Sequence, residues 1–73
     1  MATDICIRLG QKIRELREKR SWRQIDLAAH AELSKTHISE LENGKREVGL
    51  KTLERLADAL EVKISEIMEA IGH

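Results

Sequence analysis

A chain of 73 residues with one cysteine makes one small domain, and at that size only roughly 60% of the surface exposed on unfolding can be buried, which excludes a deep substrate pocket. With 41% hydrophobic and 36% charged residues, no Pro, Phe or Tyr and a wealth of Ala, Leu, Ile, Glu, Lys and Arg, the composition predicts an all-α protein. The formal net charge of +0 argues against a mere nucleic-acid coat, yet its distribution is uneven: residues 1–23 carry seven basic and three acidic side chains, residues 24–53 four and five, residues 54–73 two and five.

Cys6 has no internal disulfide partner, so packing must hold the fold, with a partner subunit as a further source of stability. The start, MATDICIRLG, lacks a basic n-region followed by an apolar h-region, and no apolar run approaches the ~20 residues of a membrane span. A soluble cytoplasmic protein with no membrane association is expected.

In chain order, Ile5, Leu9, Ile13 and Leu16 recur at helical spacing and predict a first helix to about Arg20. Ser21-Trp22-Arg23-Gln24 has capping-box spacing, with Ser21 as the cap of a second helix that carries Leu27, Ala28 and Ala31. Trp22 reads as a plug at the junction. After the short connection Ala31-Glu32-Leu33, Ser34 caps a third helix over about Lys35 to Asn43, and Gly44 ends it. Leu50, Leu53, Leu56, Ala57 and Leu60 stripe a fourth helix; Val62-Lys63 breaks it. Ile64, Ile67, Met68 and Ile71 mark a last one, over about 64–71, with Ile67 assigned to the core.

Two short helices with small residues facing inward and about three residues between them outline a helix-turn-helix at about 22–43. With Ile38 pointing inward, steps of about 100° put Leu41, Glu42 and Ser34 on the inner side of the third helix. Thr36, Ser39, Glu40 and Asn43 fall outward, with Lys35 and His37 on the flanks. A helix face of short polar groups suits the DNA major groove, about 12 Å wide. Arg23 and Gln24 open the second helix, and Asn43, Lys45 and Arg46 follow the third. These are phosphate-seeking groups around a reading face, the former positioning and the latter specifying.

Gln24, Leu27-Ala28, Ala31, Leu33-Ser34, Ile38-Ser39, Leu41-Glu42-Asn43-Gly44-Lys45, Leu50, Thr52-Leu53 and Leu56-Ala57-Ala59-Leu60 resemble the five-helix DNA-binding domain of the lambda Cro and repressor family, over about Leu9 to Met68. The lack of a second domain is similar to stand-alone regulators such as the controller proteins of restriction-modification systems. The resemblance implies base-contacting positions at Lys35, Thr36 and Glu40, with His37 and Ser39 nearby, and phosphate-contacting ones at Gln24, Asn43 and Lys45. It further implies an ion pair of Arg17 with Glu42, relieving a charge on the inner side of the third helix. Three positions depart from the family pattern: Glu32 stands where Gly is usual, Arg23 where a Ser or Thr cap is common, and Val48 where Pro is frequent. Glu32 must then tolerate a positive φ, at ~1 kcal/mol, or adopt a different turn.

The basic side chains of the first helix suit ion pairs with Glu15 and Glu18. His30, His37 and His73 lie on separate elements without partners at ligand spacing, so no metal and no cofactor are expected. Cys6 reads as a packed thiol, and no catalytic constellation is visible. The last helix exposes more apolar surface than one small domain buries, so Ile64, Met68 and Ile71 are expected at a two-fold interface of a homodimer. The sequence thus predicts a dimeric regulator on double-stranded DNA with a roughly palindromic operator. Activation would need a patch touching RNA polymerase, and any acidic surface could serve. The alternative from another class is a protein-interaction module, antitoxin-like or coactivator-like.

Overall fold

The computed structural model describes residues 4–72, and the reading that involved His73 lies outside them. Five helices follow one another: α1 (Asp4–Lys19), α2 (Gln24–Ala31), α3 (Lys35–Glu42), α4 (Leu50–Leu60) and α5 (Ile64–Glu69). No strand occurs among the described residues.

The core forms where the apolar stripes of all five converge. Ile13, Leu27, Ile38, Leu56 and Ile67, one from each helix, are wholly buried. Leu9 and Leu16, Ala28 and Ala31, Leu41, Leu53, Ala57 and Leu60 complete the layer around them. Small residues on α2 let α3 and α4 pack against it, while α1 lies across α3 and α5. Gly10 makes the α1–α3 approach possible: a Cβ there would sit 2.3 Å from the Leu41 carbonyl oxygen and 2.7 Å from that of Glu42. The backbone of α1 therefore touches the last turn of α3.

Three helices end without glycine in a left-handed residue. Ser21 (φ 57°), Glu32 (φ 58°) and Glu61 (φ 57°) follow α1, α2 and α4. In each case the next amide reaches back to a carbonyl in the last turn: Trp22 to Arg17 at 3.3 Å, Leu33 to Ala28 at 2.9 Å and Val62 to Ala57 at 3.0 Å. That pattern satisfies carbonyls that the helix end would otherwise leave open. Glu32 thus takes the positive φ anticipated for it. Ser21 is a correction: it closes α1 instead of capping α2, because the Trp22 amide is drawn back to Arg17. The N-cap of α2 is Arg23, whose amide donates to Asp26 Oδ2 at 2.7 Å.

Three apolar assignments also change, those of Leu50, Ile5 and Ile71. Leu50 is 83% exposed, because as the first residue of α4 it precedes the turn where the stripe meets the core. Ile5 is exposed near the start of α1. Trp22 plugs the junction as expected, half-buried against the core and stacked on His30 with ring centroids 4.3 Å apart, with the Arg20 guanidinium 4.9 Å from its ring. Ile71 is half-buried against the core, past the end of α5 at Glu69.

Candidate nucleic-acid interface

The inner side of α3 fixes its position. Ile38 and Leu41 anchor it in the core, and Glu42, 4% exposed, ties it to two other helices. Arg17 donates to both Glu42 oxygens, Nε at 2.7 Å and Nη2 at 3.0 Å. Gln24 Nε2 donates at 3.1 Å, and Arg14 Nε lies 3.4 Å away. Arg17 also donates from Nη1 to the Trp22 carbonyl at 2.7 Å, so a single guanidinium links α1, the junction and α3. Burial raises the Glu42 pKa, but the hydrogen bonds from Arg17, Gln24 and Arg14 and the charge of Arg17 together outweigh it and hold it below the usual carboxylate range. A buried carboxylate with these donors stays ionised and keeps α3 at a fixed angle to α1 and α2.

The start of α3 is capped by Ser34, whose Oγ accepts from the His37 amide at 3.0 Å. Capping turns the Ser34 side chain away from the inner side on which helical counting had put it, and the residue is exposed. At the other end, Gly44 (φ 70°) reverses the chain beneath Ile7, whose Cγ1 lies 2.9 Å from where a Cβ would be. The Lys45 amide then donates to the Glu40 carbonyl at 2.9 Å, folding the link back against α3.

These constraints leave the outer side of α3 to solvent. Lys35 and Thr36 are exposed; His37, Ser39 and Glu40 are half-buried. Arg46 Nε stands 3.2 Å from Glu40 Oε1, a pair that helical counting within α3 does not reveal because Arg46 lies beyond the loop. Burial, then the charge of Arg46, hold the His37 imidazole below the usual histidine range, against the pull of Glu40. Asn43 Nδ2 donates to the Ser39 carbonyl at 2.8 Å, and Lys45 is exposed.

At the start of α2 the two residues picked from sequence have different surroundings. Arg23 is exposed and chelates Asp26, with Nε and Nη2 each 3.2 Å from a carboxylate oxygen. The Gln24 side-chain amide is taken up by Glu42, so what Gln24 offers outward is the first backbone amide of α2. The helix dipole adds partial positive charge there.

Away from this surface, Ile64 and Met68 are exposed on α5 and Leu50 on α4. Leu50 and Ile64 line one shallow groove; Leu50, Met68, Ile5 and Ile71 line its neighbour. Sequence counting missed Leu50 because it matched the α4 stripe. None of the described helices is long and apolar enough to cross a membrane.

A family model described as helix-turn-helix matches residues 13–67. Over 69 residues the chain is 42% identical to the control protein C.MunI of Mycoplasma sp, covering 93% of each. Its fold is similar to that of the restriction-modification controller protein C.AhdI from Aeromonas hydrophila, with a TM-score of 0.83 and 32% identity over 85% of this chain and 94% of that one. It is also similar, with a TM-score of 0.83 and 25% identity over 97% of this chain and 99% of that one, to the controller protein C.Esp1396I, solved as a tetramer in complex with its natural 35 base-pair operator.

Proposed function

Because the chain belongs to the helix-turn-helix family of DNA-binding transcriptional regulators, we propose that it is a controller-type regulator that binds a specific duplex sequence through the outer side of α3. The observation that carries this reading is the two-sidedness of α3: an inner side locked by Ile38, Leu41 and Glu42, and an outer side on which Lys35 and Thr36 are exposed and His37, Ser39 and Glu40 half-buried. Rigid placement matters because a reading helix must present donors and acceptors to base edges without paying again for its own ordering. Lys35 can donate to guanine O6 and N7, and Thr36 can meet a thymine methyl or a base edge. Lys45, Arg23 and the first amide of α2 flank this face as phosphate partners. The Asn43 side chain, spent on Ser39, contributes there only by giving up that bond.

The exposed Ile64 and Met68, together with Leu50, form the proposed homodimer face, with Ile71 packed at its edge. A two-fold axis there would set two copies of α3 to meet successive major grooves about 34 Å apart, which requires an operator with inverted half-sites. Selection of bound sequences from random duplexes, with the mass of the complex measured alongside, tests both parts. An inverted repeat bound by two chains is expected. A protein with no affinity for any duplex even at low salt would overturn the proposal in favour of a protein-interaction module.

A further inference from the structure

We infer that docking on duplex DNA is coupled to the uptake of a proton at His37, so that affinity rises as the solution turns mildly acidic and falls as it turns basic. The inference rests on the DNA-binding reading and adds to it a control by pH.

His37 is the third residue of α3 and half-buried on its outer side. Its amide donates to Ser34 Oγ at 3.0 Å, which places the residue in the first turn, at the positive end of the helix dipole. Two charges act on the ring: Arg46 from the link after α3, and Glu40 one turn further along α3. Lys35, two residues earlier, does not face it. The Lys45 amide, bonded to the Glu40 carbonyl at 2.9 Å, folds the link back onto α3 and sets Arg46 Nε 3.2 Å from Glu40 Oε1. The imidazole therefore shares this surface with a carboxylate that is already matched.

In the free protein the balance is against a charged ring. Burial, then Arg46, disfavour the imidazolium, and Glu40 offsets them only in part, so His37 is mostly neutral at about pH 7. A duplex changes that balance. It brings one negative charge per roughly 1.7 Å of helix axis toward the outer side of α3, and the resulting potential favours a cation there. It also screens the repulsion from Arg46. Docking removes water as well, which disfavours the charge, but a half-buried ring has lost part of its hydration beforehand. The field is the larger change, and the bound ring holds its proton to higher pH than the free one.

The sign follows from linkage. Above the bound value the ring is neutral with or without DNA, and nothing is gained; below the free value it is charged in both states, and the gain is complete. The free value lies below the ordinary one of about 6.5, so the gain develops on the acid side of neutrality. Glu42, depressed below the usual carboxylate range, stays ionised throughout this window, and the hold on α3 is unaffected. His30 provides an internal control: it stacks on Trp22 in a groove shared with Asp58 and Glu61, on the α4 side of α2.

The test measures affinity for the operator selected by the parent, together with urea midpoints, at about pH 8 and about pH 5.5, for the parent, His37→Gln and His30→Gln. The parent should bind about fivefold or more tightly per half-site at the lower pH, and the slope of log affinity against log salt should steepen by up to about 0.9 per half-site. His37→Gln should lose both differences, and His30→Gln should keep them. NMR titration of the His37 ring in the free protein and in the complex reads the same coupling without a variant, and decides the matter if His37→Gln does not fold; the ring should titrate at higher pH in the complex. Parent binding that is equal at both pH values, a pH dependence that survives His37→Gln, or a ring that titrates at the same or lower pH in the complex overturns the inference. A parent that binds no duplex at either pH sinks the DNA-binding reading itself, a result distinct from these.

Discussion

Two residues apart on α3, Glu42 is 4% exposed and held by Arg14, Arg17 and Gln24, whereas Glu40 keeps 41% of its side chain in solvent and meets Arg46 across the loop. Both are carboxylates beside arginine, but burial separates their consequences. Removing a partner from a dry pair leaves a charge with nowhere to go, while an exposed pair is solvated either way. The inner pair can therefore carry stability and orientation, and the outer pair is free to be rearranged by a ligand. A helix divided in this manner can be rigid and still present a changeable surface.

The largest effect is expected at the inner carboxylate. Glu42→Ala strands the Arg17 guanidinium and the Gln24 amide, and should cost about 3 kcal/mol or more in urea unfolding. A loss below about 1 kcal/mol, the range of exposed pairs, would erase the difference between the two carboxylates.

Gly10→Ala sharpens the same point from the other side of the contact. Its added methyl collides with the Leu41 and Glu42 carbonyls, so about 2 kcal/mol of destabilisation is expected from thermal or urea melts. Stability should also respond to acid. Glu42 is depressed on folding, so its contribution is complete above the unfolded value near 4.3 and is lost as pH falls through the lower folded value. Urea midpoints measured downward from about pH 5 should drop, and Glu42→Gln should drop less steeply than the parent. A smaller effect of opposite sign is expected at the turn before α3. Glu32→Gly relieves a left-handed residue and should stabilise the fold by up to about 1 kcal/mol in the same melts, leaving both carboxylates as they are.

What the sequence disclosed and what it withheld divide along similar lines. Leu27, Ala28, Ala31, Ile38 and Leu41 were legible because helical spacing decides which side chains can share a face, and Ser34 and Gly44 because caps and positive φ select few residue types. Leu50 and Ile5 were misread, since periodicity says which face a residue is on but not whether anything covers the end of a helix. Ser21 misled for a related reason: serine suits an N-cap, yet here the backbone of α1 claims the residue first. The pairs of Glu40 with Arg46, Gln24 with Glu42 and Trp22 with His30 join different elements or cross a loop, so no fixed spacing announces them. The composition of the outer side of α3 was visible in the sequence; the way its charges are matched was not.

The most direct measurement pairs two numbers for Lys35→Ala: the urea midpoint of the free protein and the affinity for the operator selected by the parent. Lys35 is exposed on the outer side of α3. The midpoint should stay within about 0.5 kcal/mol of the parent's, while affinity falls by about tenfold or more through the loss of one base contact. Parent-like affinity, or a loss of affinity that only follows a loss of folding, would contradict the division of α3 into a holding side and a reading side.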